Sequence, residues 1–475
     1  ITKPFATLES ASLAATTGST IFVYPGTYTV DANFNLAKPG INYYFYPETT
    51  VSKTTAGDMF TMPAGTVGCN IYGQGDFILG SSAGSLVQGN YQNNNYSYDF
   101  EARDISSDSS TTIVDTFTAD DHVANWKFRI MSSSAGGGFN QANIYTDGIL
   151  NIDCQEIITS GTCIGTGNGY RGGIVKARKI KSINSFAFTA YAAGIGLTLL
   201  VDSSEGVGGD NSNCAFRFSN QGTHTIVGDT TGIQLGHGGT VNPFSGTVNH
   251  TGRCGALAIE GLSGNYNGSA VARCDAFSNG ASSNGVVKFN WTPAGSATDD
   301  YLKVHEGTVL ATWIGQGGGY SNTIQVTGGK LVLDGYGKDQ HAFKGWSVSG
   351  GEFILAGIFD KFHRNANNYG QNQALSVSGG ICKITGTINT APHLGDPNQK
   401  LINYTGGKLI LDGATLITTG SYPVFNLDQD RDVHIFSGGV NTNQTGSNGL
   451  LQASGSGYSL TNVLGGMIIE DSSVE

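Results

Sequence analysis

The sequence predicts an all-β protein, a parallel β-solenoid of about 18 stacked coils under a short N-terminal helix. Three observations predict it: a glycine-rich, charge-poor composition, a repeat of 22–32 residues, and no helical periodicity. Of 475 residues, 71 are Gly, or 15%, about twice the usual ~7%. Charged residues make up 13%, against about 25% in an ordinary soluble chain. Apolar residues reach 39%, enough for a core, so disorder is excluded. Collagen is excluded because Gly has no period of three and Pro number only 10. Gly, Ser, Thr and Asn interrupt every stretch, which excludes helix bundles.

The repeat is clearest towards the C-terminus. VTGGKLVLDG begins at Val326, VSGGEFILAG at Val348, VSGGICKITG at Val377 and YTGGKLILDG at Tyr404. FSGGV follows at Phe436 and VLGGMIIED at Val463, and a degenerate VHEGTVLA precedes them at Val304. Earlier, alternating strands centre near Phe100, Phe128, Ile152, Val175, Leu199, Ile226, Val248 and Val271, at the same period without the paired glycines. A unit of this length with two or three short strands is one solenoid coil. It cannot bury its inner face alone, and stacking at about 4.8 Å makes a continuous core. Leucine-rich repeats lack support because their Leu/Asn consensus is missing, and propeller blades need longer units. The paired glycines mark a corner where the backbone needs positive φ. The Gly-Gly copies are therefore expected to stack in one line. Asp334, Asp412 and Asp471, each five residues past the second Gly, read as aspartates of a turn at a corner. Asn-rich corners are expected to stack and share hydrogen bonds.

The N-terminus differs. Pro4 to Ala15 reads as a short helix, capped by Thr2 or Thr7. It covers the open end of the first coil, which otherwise exposes core and strand edges. The expected organisation is a capping segment over 1–20 and one solenoid domain over 21–475. The strand Thr20-Ile21-Phe22-Val23-Tyr24-Pro25-Gly26-Thr27-Tyr28 follows, then INYYFYPETTVS from Ile41. A short helix followed by T-I-x-V-x-P-G-T-Y resembles the entry of pectate-lyase-like right-handed β-helices. That group includes bacteriophage tailspikes and polysaccharide-degrading enzymes. The resemblance implies a right-handed single-stranded parallel β-helix, and it is specific for fold rather than reaction. The chain stops at Ser473-Val474-Glu475, directly after a repeat strand with no polar cap, which suits trimer formation.

Net charge is −11, which argues against nucleic-acid binding through phosphates. The longest apolar run, Phe186 to Val201, is too short for a membrane span and reads as two buried strands around a turn. The seven cysteines, at 69, 154, 163, 214, 254, 274 and 382, form no CxxC or Cys/His cluster. They read as buried free thiols, with Cys154 and Cys163 the only near pair, and they point to folding in a reducing compartment. No metal site, phosphate loop or dinucleotide fingerprint is expected, and no cofactor.

Candidate chemistry comes from using the repeat as a ruler. Asp339 and His341, Asp360, His363 and Arg364, and then His393 fall at nearly equal offsets from successive Gly-Gly pairs. Equal offsets in stacked coils mean one lateral face. Asp339, Asp360, His363 and Arg364 are the candidate catalytic group, with His341 and Lys361 beside them as substrate-binding residues. The carboxylates suit acid and nucleophile or base roles, and Arg364 suits an acidic sugar. Tyr91, Tyr96 and Tyr98 alternate with Asn and Gln, offering flat faces and amides to sugars. Glu101 and Asp104 follow them as unassigned carboxylates. A polygalacturonase-like set (Asp120-Asp121, Asp147, Gly236-His237-Gly238, Arg178-Lys179-Ile180-Lys181) occurs in scrambled order and is rejected, leaving Asp120, Asp121 and Asp147 as a minor pair. The expected function is a virion-associated tailspike- or tail-fibre-like protein, homotrimeric and joined to other virion proteins. It binds, or also depolymerises, a bacterial surface polysaccharide. A secreted polysaccharide lyase or hydrolase and a non-enzymatic adhesive fibre are the alternatives.

Overall fold

The structure, a computed structural model, describes residues 4–31, 34–62, 68–89, 97–115, 123–141, 148–166, 172–190, 196–208, 213–219, 221–236, 243–277, 284–292, 301–317, 322–339, 343–360, 373–389, 400–419, 425–427, 431–443, 451–453, 460–461 and 468–470. The fold is an all-β parallel solenoid with one short helix. The chain divides into two compact units, one formed by Ile1–His237 with Phe244–Gly252, the other by Gly238–Pro243 with Arg253–Glu475.

The helix α1, Leu8–Ala14, begins where Thr7 accepts a hydrogen bond from the Ser10 N–H at 3.1 Å, so Thr7 is the N-cap. It is pinned from outside the helix. Lys38 Nζ donates to the Ser12 carbonyl at 2.5 Å, and the Glu9 carboxylate accepts from the Asp31 N–H at 3.1 Å. Leu8 and Ser12 are buried.

In the first unit the coils between Asn42 and Asp115 contribute three strands each, and those from Val123 onward one long and one short strand, each stacked in parallel on its counterpart. One ladder runs Asn42–Phe45, Asn70–Gly73, Tyr98–Glu101, then the starts of Val123–Ser133, Ile149–Thr159, Gly173–Ser182 and Leu197–Glu205. Ile152, Val175, Leu199 and Ile226 stack in direct register, as the sequence period requires. Phe128 is the exception. It pairs with Cys154, and Trp126 is the residue opposite Phe100. Another ladder places Phe60, Val87, Val114, Phe139, Ile164, Phe188, Phe216 and Ile233 in one buried row. Period-two alternation sends every second residue inward. The core therefore fills with aromatic rings, as in Phe100 stacked on Trp126 at 4.4 Å. The apolar run from Phe186 contributes the strands Phe188–Ala190 and Leu197–Glu205. Among the described residues no helix is long and apolar enough to cross a membrane.

In the second unit the paired glycines stack as expected. Gly307, Gly329, Gly351, Gly380 and Gly407 all have positive φ, between 63° and 80°. Each rests on the one before: a Cβ at Gly351 would lie 2.5 Å from the Gly329 carbonyl oxygen, and one at Gly380 would lie 2.6 Å from that of Gly351. The Phe436 copy breaks the line. Gly438 and Gly439 pair with Ala414 and Thr415, and Leu409 pairs with Val433. The strand before that Gly-Gly, not the one after it, occupies the repeat position, so its glycines fall further along the coil. Gly465 and Gly466 lie outside the described residues. Asp334 and Asp412 each precede a positive-φ glycine, Gly335 and Gly413, as corner residues should. Asp334 accepts from the Gly335 N–H at 2.7 Å, and Asp412 pairs with Lys383 at 2.7 Å. Asp471 lies outside the described residues. Trp291, Trp313 and Trp346 fill this unit's core.

All seven cysteines are free thiols, six buried and Cys154 half-buried. Burial pushes the Cys69, Cys163 and Cys382 thiols up to about 12. They are neutral and unreactive at physiological pH.

Candidate functional site

The outward positions of the first ladder form two columns on the first unit. Along each strand the buried residues are Tyr43, Ile71, Phe100, Trp126, Ile152 and Val175. The residue on one side of them builds the column Asn42, Asn70, Asp99, Asn125, Asn151, Ile174. The residue on the other side builds Tyr44, Tyr72, Glu101, Lys127, Asp153, Lys176.

The first column is a hydrogen-bonded ladder. Asn70 Nδ2 donates to Asn42 Oδ1 at 3.0 Å, and the Asp99 N–H donates to Asn70 Oδ1 at 3.1 Å. Asn125 Nδ2 donates to Asp99 Oδ1, and Asn151 Nδ2 to Asn125 Oδ1, both at 2.9 Å. The Ile174 N–H closes the run on Asn151 Oδ1 at 3.2 Å. The expected sharing between stacked amides is thus realised, on a strand face rather than a corner. Asp99 also accepts from the Tyr72 hydroxyl at 3.3 Å. Burial, then the Asp99 carboxylate, raises the Tyr72 pKa, so the phenol stays protonated and donates.

The second column alternates in sign, Glu101, Lys127, Asp153, Lys176, one charge per coil at about 4.8 Å. Among the described residues Glu101 accepts only a long 3.4 Å hydrogen bond, from the Gly73 N–H. Together the columns line an open groove of about 410 Å³, floored by Trp126 and Ile152 and bordered by Tyr72 and Ile174. Beside it Arg103 and Arg129 are held by Asp76 and Asp104. Those guanidiniums are occupied, whereas Lys127 and Lys176 line the groove. Such a surface offers fixed amides, carboxylates, ammoniums and one phenol ring, the groups that hold a polyhydroxylated ligand.

Of the sequence-derived candidates, Glu101 is in this groove. Asp339 ends the strand Lys330–Asp339 and Asp360 ends Ile358–Asp360, on neighbouring coils where Asp360 pairs with Lys338. The side chains of Asp339 and Asp360 lie outside the described residues, as do His341, Lys361, His363, Arg364 and His393. Tyr91, Tyr96, Asp120, Asp121, Asp147 and His237 also lie outside them. Tyr98 is corrected. It is 1% exposed, with Trp126 Nε1 donating to its hydroxyl at 3.3 Å, because it shares the inward parity of Phe100. Its ring is core and cannot stack on a ligand. Asp104 is held by Arg129. Sequence reasoning missed Asp99, Asn125, Lys127, Asn151, Asp153 and Lys176. For Asp99, Asn125 and Asn151 the signal was an Asn or Asp directly before each core residue at coil spacing; for Lys127, Asp153 and Lys176 it was a charge of alternating sign directly after one.

No protein-family model, curated protein or solved structure matches the chain.

Proposed function

We propose that the protein is a tailspike- or tail-fibre-like β-helix of a virion that binds a bacterial surface polysaccharide in this groove. The observation that carries the reading is the groove itself: amides locked by their neighbours beside charges that no stronger partner occupies. Preorganised donors and acceptors bind without the cost of ordering, which suits a ligand that offers mainly hydroxyls. The resemblance of the N-terminal strand to tailspike-type entries supports the virion setting, and with it a homotrimer attached to other virion proteins. The test is an array of purified capsular and O-antigen polysaccharides probed with the wild type and with Glu101→Gln. Binding to at least one polysaccharide is expected, weakened in the variant with its circular dichroism unchanged. No binding to any, or full binding by the variant, refutes the groove reading.

Depolymerisation is the second reading, favoured by Asp99 and Glu101 standing two residues apart on one strand. Residues two apart on a strand project from the same face, so both carboxylates meet the groove, the placement a catalytic carboxylate pair needs. Asp99 is fixed by Tyr72 and Asn125, whereas Glu101 is held only by the long bond from the Gly73 N–H among the described residues. Release of reducing ends by the wild type, abolished in Glu101→Gln, is the expected signature.

A further inference from the structure

The second column does not start at the groove. In register it runs back from Glu101 through Tyr72 and Tyr44 to Phe22. Tyr24 and Tyr46 stand beside it. Phe22, Tyr24 and Tyr44 are 56%, 61% and 39% exposed, so all three rings meet solvent. They also hold one another. Tyr24 stacks on Tyr46 at 5.2 Å and 10°, Tyr44 meets Tyr46 edge-on at 5.2 Å, and Phe22 lies 6.0 Å from Tyr44. Aromatic side chains with two torsions, already packed against each other, lose little freedom on binding.

Resting on the glycan reading of the groove, we infer that this aromatic column is a stacking track that extends it. One polysaccharide chain would cross successive coils, its sugar rings on Phe22, Tyr44 and Tyr72 and its polar groups on the charged column. From Phe22 to Lys176 there are six coil steps, about 29 Å at the parallel-strand spacing. That length takes several sugar residues, more than the groove alone. The occupant is a glycan rather than a second protein copy because the column turns from rings to carboxylates and ammoniums within one coil. A sugar polymer presents C–H faces and hydroxyls along the same chain. A protein face would have to change from apolar to charged at the same step.

The test uses the full chain and the best-bound polysaccharide from the array, cut by partial acid hydrolysis and fractionated by length. Wild-type affinity should rise with fragment length. The double variant Phe22→Ala/Tyr44→Ala should match the wild type on the shortest fragment that binds and lose about tenfold on the longest, the worth of two ring contacts. Glu101→Gln should weaken both alike. If the double variant binds long fragments as the wild type does, or weakens short ones equally, the track is refuted while the groove stands. If the wild type binds no polysaccharide, both fall. A change of oligomeric state on sedimentation of the double variant would assign the column to a second copy and overturn the proposal. Should the double variant misfold, Phe22→Ala alone, at the more exposed of the two rings, gives the same length comparison.

Discussion

Replacing Gly351 separates two reasons for a glycine that usually come together. Its φ of +65° disfavours any L side chain by roughly 1–2 kcal/mol. Its Cβ would also lie 2.5 Å from both the Gly328 carbonyl carbon and the Gly329 carbonyl oxygen, backbone atoms fixed by the coil beneath. Relieving that overlap means moving a coil, about 1–3 kcal/mol more. Gly351→Ala should therefore cost about 2–5 kcal/mol. Asn tolerates positive φ, so Gly351→Asn removes most of the first cost and none of the second. At Gly18, φ is +87° and nothing lies within 4 Å of the added Cβ. There Ala should cost only roughly 1–2 kcal/mol, and Asn should recover most of it. Urea unfolding gives the totals. Hydrogen exchange at the Glu352 and Ile381 amides, bonded to the Gly329 and Gly351 carbonyls at 2.8 Å, reports the damage locally. A Gly351→Asn protein within about 0.5 kcal/mol of the wild type, the usual scatter of a harmless change, with protection intact at both amides, would refute the stacking argument.

Burial lowers the His224 pKa to about 4, and the neutral ring accepts from the Leu197 N–H at 3.3 Å. A base depressed in the folded state keeps its stability above the unfolded pKa of about 6.5 and loses it as pH falls through the folded value. Between pH 6.5 and 4 the first unit should lose about 3 kcal/mol, and His224→Gln should flatten that slope in urea titrations at pH 7.5 and 4.5. The thiols give a third expectation: an aromatic disulfide reagent should find no rapidly reacting cysteine in the native protein and seven in urea. A fast-reacting native thiol would contradict the burial and raised pKa values described above.

Much of the fold was legible because core residues announce themselves by period. Ile152, Val175, Leu199 and Ile226 are apolar, and each centres a short alternating run, so counting placed them in register. Gly-Gly marked a corner because only glycine fits two stacked backbones there. The same marker misled at Gly438, where the coil changes length and the glycines slide past the column. Function was harder to read because a solenoid face is assembled from residues one coil apart, and its outward positions have no fixed residue type. Asp99, Lys127 and Asp153 become neighbours only once the register is known. Tyr98 shows the opposite error. Read with Tyr91 and Tyr96 it looks like part of a surface loop, whereas its spacing of two from Phe100 already assigned it to the core.

The amide ladder has a consequence for how the chain finds its pairing. Sliding one coil by a single residue turns its core outward and is rejected by the hydrophobic effect alone. Sliding by two residues is more dangerous, since apolar positions still meet apolar positions and the core scarcely registers the error. The outward columns do register it. Displaced by two, Asn125 would face Glu101 instead of Asp99, and the run of side-chain bonds from Asn42 to Asn151 would break on both sides of the displaced coil. Since each such bond is worth about 1 kcal/mol, the ladder acts as a proofreader of alignment. It distinguishes the correct stack from a near-copy that hydrophobic burial would accept.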